Sequence, residues 1–231
     1  MIKETKKKFK QQKSINSELN FEEFCQKNDV IYKKMDDPRN QKSKRDFLRE
    51  YDGKCPDYRC QKDGKEIFVE IKTLTNLTNQ AREDSVDQRI KEIKAEGLSA
   101  GLTTELFNPI PEIEGPVRTM LKDASNKFKN LKNELRSSRI LLLNGVSYDI
   151  GSTAHEIFLG DFHSYKRDGD RLVYVGFQKR KRGLFDETGS NVSAVIYWNN
   201  DLNRFEGIEN PNAKISLSED VFNIFFGVIK P

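Results

Sequence analysis

The stretch CPDYRCQKDGKEIFVEIKT, residues 55–73, places Asp57 directly after Pro56, then sets Glu70 and Lys72 two positions apart. Two acids and a lysine could hold a divalent cation beside a permanent positive charge if the chain brings them together. Asp63-Gly64 supplies the means, because a type I′ turn needs positive φ at both central residues and Asp-Gly accepts it. With these two at the turn, Lys62 faces Lys65 and, counting outward, Asp57 faces Glu70. Directly opposed residues share a face, with Cβ atoms about 4.5 to 5.5 Å apart. Alternation along the second strand sends Ile67, Val69 and Ile71 to one side, a core face, and Phe68, Glu70 and Lys72 to the other. Like charges held opposite each other destabilise a sheet unless something neutralises them, and a bound cation would. The plainer reading is a charged surface hairpin in which Lys72 pairs with an acid.

The rest of the composition narrows the chemistry. Histidine is confined to His155 and His163, and the three cysteines, Cys25, Cys55 and Cys60, form neither an even set nor a C-x-x-C motif. A disulfide framework and a zinc knuckle are therefore not suggested, and a metal site built from oxygen ligands favours magnesium or manganese over zinc. No run is apolar enough for a signal-peptide core or a membrane span, so a cytoplasmic protein with no membrane partner is expected. The net charge of +4 is modest, but lysine and arginine crowd the N-terminus, residues 42–49 and the KRKR run at 179–182. Local basic surface suits a polyanion such as nucleic acid, though any single run can equally be a solvated face.

Elements that could position the acids read as follows. Residues 1–16 are basic and lack apolar periodicity, which predicts a flexible N-terminus ahead of one domain over 17–231. Ser17 is a candidate N-cap for a short amphipathic helix carrying Phe21, Phe24, Cys25 and Asn28. VIYKKM from Val30 reads as a strand, and QKSKRDFLREY after Pro38 as a polar helix or loop. Residues 73–116 read as a helical insertion, rich in asparagine, threonine, charge and proline. Val117, Met120, Leu121, Ala124, Phe128, Leu131 and Leu135 then form an apolar stripe that predicts a helix of about five turns. RILLL reads as a buried central strand, TAHEIFLGDF as a short helix, and RLVYVGFQK, SAVIYW and RFEGIE as strands. Residues 165–231 are thus expected as a β-rich extension packed on the core, closed by the apolar VFNIFFGVIKP. The whole is an α/β chain with a mixed central sheet flanked by helices.

Pro56-Asp57 and Glu70-Ile71-Lys72 resemble the signature of the PD-(D/E)xK nuclease superfamily, whose restriction-endonuclease-like fold is a three-layer core with a mixed central β-sheet. The resemblance runs over about residues 17–73 and more loosely to 144. It implies Asp57 and Glu70 as metal-ligating carboxylates, the backbone carbonyl of Ile71 as a further ligand, and Lys72 as the group that orients or activates the attacking water. It implies Mg2+, with Mn2+ as a substitute, and hydrolysis of DNA, as an endonuclease of restriction or phage-defence type. Many members add a glutamate from the first helix; Glu18 is our choice, at the border of the face made by Phe21 and Cys25, with Glu22 its rival. Some members carry a glutamine or lysine on the helix after the hairpin, where DASNKFKN offers Asn126, Lys127 and Lys129 as phosphate contacts.

Given such a core, Lys179, Arg180, Lys181 and Arg182 read as DNA-backbone contacts. Cutting both strands calls for two active sites and hence a homodimer. His155, Glu156 and His163 read as packing or surface residues rather than a second metal centre, and RDGDR at 167–171 as a turn. The alternatives are a catalytically inactive nucleic-acid-binding or interaction module on the same fold, and an α/β scaffold with no nucleic-acid role.

Overall fold

The structure, a computed structural model, describes residues 16–51, 53–74, 110–144, 150–168, 171–179, 182–199 and 204–227. The N-terminus before residue 16, most of the expected insertion, and Arg180 and Lys181 lie outside them. Among the described residues no helix is long and apolar enough to cross a membrane.

Six strands form one mixed sheet. Helix α1 (16–27) leads to β1 (Ile31–Lys34), a 3-10 turn at Pro38–Asn40 and α2 (Gln41–Phe47). The hairpin β2 (Tyr58–Lys62) and β3 (Lys65–Thr73) follows, then α3 (Ile110–Lys129) and β4 (Ser138–Asn144). After α4 (Ile150–Leu159), the strands β5 (Asp161–Asp168) and β6 (Arg171–Lys179) make a separate two-stranded sheet. The chain then forms α5 (Leu184–Glu187), β7 (Ala194–Asn199), β8 (Arg204–Glu209) and α6 (Glu219–Phe226). Strand order in the main sheet is β1-β2-β3-β4-β7-β8, with β3, β4 and β7 mutually parallel and the outer pairings antiparallel. The last two strands are thus part of the main sheet rather than an extension laid upon it.

Both faces of that sheet are buried. Phe68, Leu141, Leu143, Val195 and Tyr197 pack under α3 and α4, while Ile67, Val69, Ile71, Ile140, Leu142 and Ile196 pack against Phe21 and Cys25 of α1 and the phenylalanines of α6. This follows from the parallel pairing of β3 with β4, because parallel strands are covered by helices on both sides and read as continuous apolar runs. The side of β3 that carries Glu70 is therefore also an interior face.

Helix α3 is longer at its start and shorter at its end than the apolar stripe predicts. It passes through Pro116, which costs it one backbone hydrogen bond, and stops at Lys129. Leu131 still reaches the core, but through a turn closed by its N–H on the Phe128 carbonyl and a bridge to Leu48. Ser17 lies within α1 rather than capping it, and its hydroxyl meets that of Thr73 at 2.8 Å. Residues 161 and 162 of the expected helix belong instead to β5.

Candidate active site: a carboxylate pair closed by lysines

The hairpin turns at Asp63 and Gly64, with φ of 49° and 72°, as an I′ turn demands. Lys62 faces Lys65 and Tyr58 faces Val69, so the register continued by one residue sets Asp57 opposite Glu70. Two bonds hold Asp57 there although it precedes the strand: the Met35 N–H donates to its carbonyl at 2.8 Å, and the Ile71 N–H donates to its Oδ2 at 2.8 Å. The N–H and C=O of one strand residue point the same way, so the Ile71 carbonyl is directed to the same edge as Asp57.

Glu70 is fully buried, and the groups around its carboxylate come from three elements. Lys127 of α3 places Nζ 2.6 Å from Glu70 Oε1 and 3.1 Å from Asp57 Oδ1. Lys72 of β3 places Nζ 2.8 Å from Glu70 Oε1 and 2.7 Å from Asp123 Oδ2, and Lys54, from the loop before β2, reaches Asp123 Oδ1 at 3.3 Å. Glu70 Oε2 is buried with no hydrogen-bond partner among the described residues. The helix supplies its two groups through spacing. Asp123 and Lys127 are four residues apart, each just before a fully buried residue of the stripe, Ala124 and Phe128, so they border the face turned to the sheet.

Burial pushes the Glu70 carboxyl up to about 7, the Asp57 charge adds to this, and Lys127 and Lys72 oppose it. Lys72 is held above the ordinary lysine range: burial works against its charge, but the Glu70 charge and the bonds to Asp123 and Glu70 outweigh it. Lys127 is raised in the same way by Asp57 and Glu70 against the cost of burial. Near neutral pH both lysines are ammonium ions, and Glu70 is the group whose charge can change.

The other anticipated residues lie elsewhere. Glu18 sits on α1 across the sheet, its carboxylate 3.3 Å from Lys34 Nζ. Glu22, the rival, accepts from Tyr58 Oη at 2.7 Å and pairs with Lys34 at 2.7 Å, which holds it below the usual carboxylate range despite partial burial. Both meet Lys34 of β1 from α1, which packs on the Ile67, Val69 and Ile71 side of the sheet. Lys127, anticipated as a phosphate contact, has its ammonium committed to the carboxylates instead. Asn126 and Lys129 are exposed, as is Arg182, while the backbone of Lys179 ends β6. His155 is on α4 and His163 on β5.

Asp123 is the residue that sequence reasoning missed. Its signal was its place four residues before Lys127, but only the docking of α3 on β3 brings it to Lys72. Among the described residues no group of three or more Asp, Glu, His or Cys side chains converges as a metal cage, so the candidate centre is a carboxylate pair. Compared with known protein families, characterised proteins and solved structures, the chain matches none.

Proposed function

We propose that the chain is a metal-dependent nuclease of restriction-endonuclease-like fold that hydrolyses DNA phosphodiester bonds. The observation that carries this reading is the pairing of Asp57 with the buried Glu70 across the Lys127 ammonium, with Lys72 on the same face. The order of helix, hairpin, long helix and parallel strand supports the fold. The donor set fits a hard divalent ion: two carboxylates, one with a buried oxygen that lacks a donor, and a strand carbonyl on the same edge. Asp57, Glu70 and the Ile71 carbonyl would hold Mg2+ or Mn2+, which when bound would supply a Lewis acid for the phosphate and a more acidic water.

The chain's own groups have separable tasks. Lys72, a persistent ammonium, cannot take a proton from water at neutral pH; it donates hydrogen bonds, orienting the attacking water and stabilising negative charge that grows on the phosphate oxygens. Asp123 fixes that ammonium from the other side. Water adds across the P–O bond, its oxygen to phosphorus and a proton to the leaving alkoxide. Cutting both strands would take two such sites, and hence a dimer.

The test is conversion of supercoiled plasmid to nicked and linear forms with Mg2+ or Mn2+, for wild type, Asp57→Ala and Lys72→Ala. Cleavage by the wild type alone supports the proposal; equal inertness of all three, with DNA still bound, removes the enzyme and leaves a binding module. One observation favours that second reading: two ammonium groups, Lys127 and Lys72, already sit against the carboxylate pair.

A further inference from the structure

We infer that the Lys127 ammonium is a resident cation that competes with a divalent ion for Asp57 and Glu70, so that metal uptake here is an exchange. The inference rests on the nuclease reading of the same site and adds to it a control on metal occupancy. Lys127 Nζ touches one oxygen from each carboxylate, at 3.1 and 2.6 Å, and so lies between the two side chains that would hold the ion. The cluster also matches three acids, Asp57, Glu70 and Asp123, with three lysines, Lys54, Lys72 and Lys127, and its formal charges balance once Glu70 is ionised. A divalent ion would therefore enter a cluster whose acids already face ammonium groups, and would repel the one held within contact distance.

Relief is available without moving the fold. The backbone at Lys127 is fixed by buried Ala124 and Phe128, but the four-carbon lysine stem can swing by torsions alone. Asp123 lies one turn back on the same border of α3 and offers a carboxylate already shared by Lys72 and Lys54. With the ion seated and the ammonium displaced, the cluster carries a surplus of positive charge. That surplus suits a phosphate anion, so the exchange links metal uptake to substrate binding.

Two experiments on the full chain test this. Calorimetric titration with manganese chloride compares the wild type with Lys127→Met and Lys127→Gln. Both variants are expected to bind at least about tenfold more tightly, the equivalent of about 1.4 kcal/mol. Amine-reactive labelling of the wild type, read at Lys127 by mass spectrometry, is expected to speed up when magnesium is added. Equal or weaker binding by the variants, or labelling of Lys127 indifferent to magnesium, overturns the exchange while leaving the nuclease reading intact. Absence of manganese binding by all three folded proteins overturns both.

Discussion

The Ile71 backbone N–H donates to Asp57 Oδ2 at 2.8 Å, which ties the acid in front of β2 to the strand that carries Glu70. A carboxylate that would otherwise lie at a loose strand end is thereby fixed opposite its partner. Asp57→Ala strands that N–H and is expected to lower stability by about 1 to 2 kcal/mol, with the loss of a like charge beside Glu70 offsetting part of the cost. Asp57→Asn keeps an oxygen acceptor and should lose less. Urea unfolding of the two variants in the presence of EDTA measures the difference.

Glu70 gives stability a pH dependence of definite sign. Its folded carboxyl titrates at about 7 against the usual 4.5, so between those values the folded chain holds more protons than the unfolded one. Stability contributed by this group is fully present below pH 4.5 and is lost as pH rises through 7. A tenfold change in proton affinity is worth about 1.4 kcal/mol, so between mildly acidic and mildly alkaline pH metal-free wild type should lose on the order of 3 kcal/mol more than Glu70→Gln. Parallel unfolding curves for the two proteins across that range would disprove the assignment.

The register of the site depends on a turn residue that touches nothing. Gly64 has φ of +72°, and a Cβ placed on it would meet no atom within 4 Å. Gly64→Ala therefore isolates backbone strain, expected at about 1 to 2 kcal/mol, with no packing contribution. If the strand pairing slips instead, Asp57 leaves the Glu70 face, and the proposed plasmid cleavage would fall by far more than the stability change explains.

On the opposite face, Glu22 and Glu18 should separate. Glu22 accepts from the Tyr58 hydroxyl and pairs with Lys34, whereas Glu18 reaches Lys34 alone at 3.3 Å and is more exposed. Glu22→Ala is expected to cost about 1 to 3 kcal/mol and Glu18→Ala under about 1. Both variants should retain plasmid cleavage; its loss in Glu18→Ala would mean that α1 does supply a group to the Asp57 cluster.

What the sequence revealed of this site was its local half. Asp63-Gly64 sets the pairing of β2 with β3, and a two-residue period carries that information out to Asp57 and Glu70 without reference to the rest of the chain. The apolar run of β4 likewise announced a strand covered on both sides. What stayed hidden was contributed by packing. That Glu70 faces an interior rather than solvent depends on β4 lying parallel beside β3, a pairing between segments far apart in sequence. Asp123 looked like an ordinary polar position of a charged helix, and Lys127 like a phosphate contact, until the docking of Val117, Leu121, Ala124 and Phe128 turned their border toward the acids. The limit at Glu18 is related, since helical spacing finds the buried side of α1 but not the face of the sheet it covers.

The parallel seam between β3 and β4 also bears on how the molecule assembles. A two-residue hairpin closes in about 1 to 10 μs, whereas joining β3 to β4 requires a long loop to close around α3 first, and such distant pairings are slow. The hairpin is therefore expected to bring Asp57 and Glu70 together before α3 docks and Lys127 closes over them. The burial of the Glu70 carboxylate would then report the docking of α3, and a nascent chain would hold the two acids side by side before any lysine closes over them.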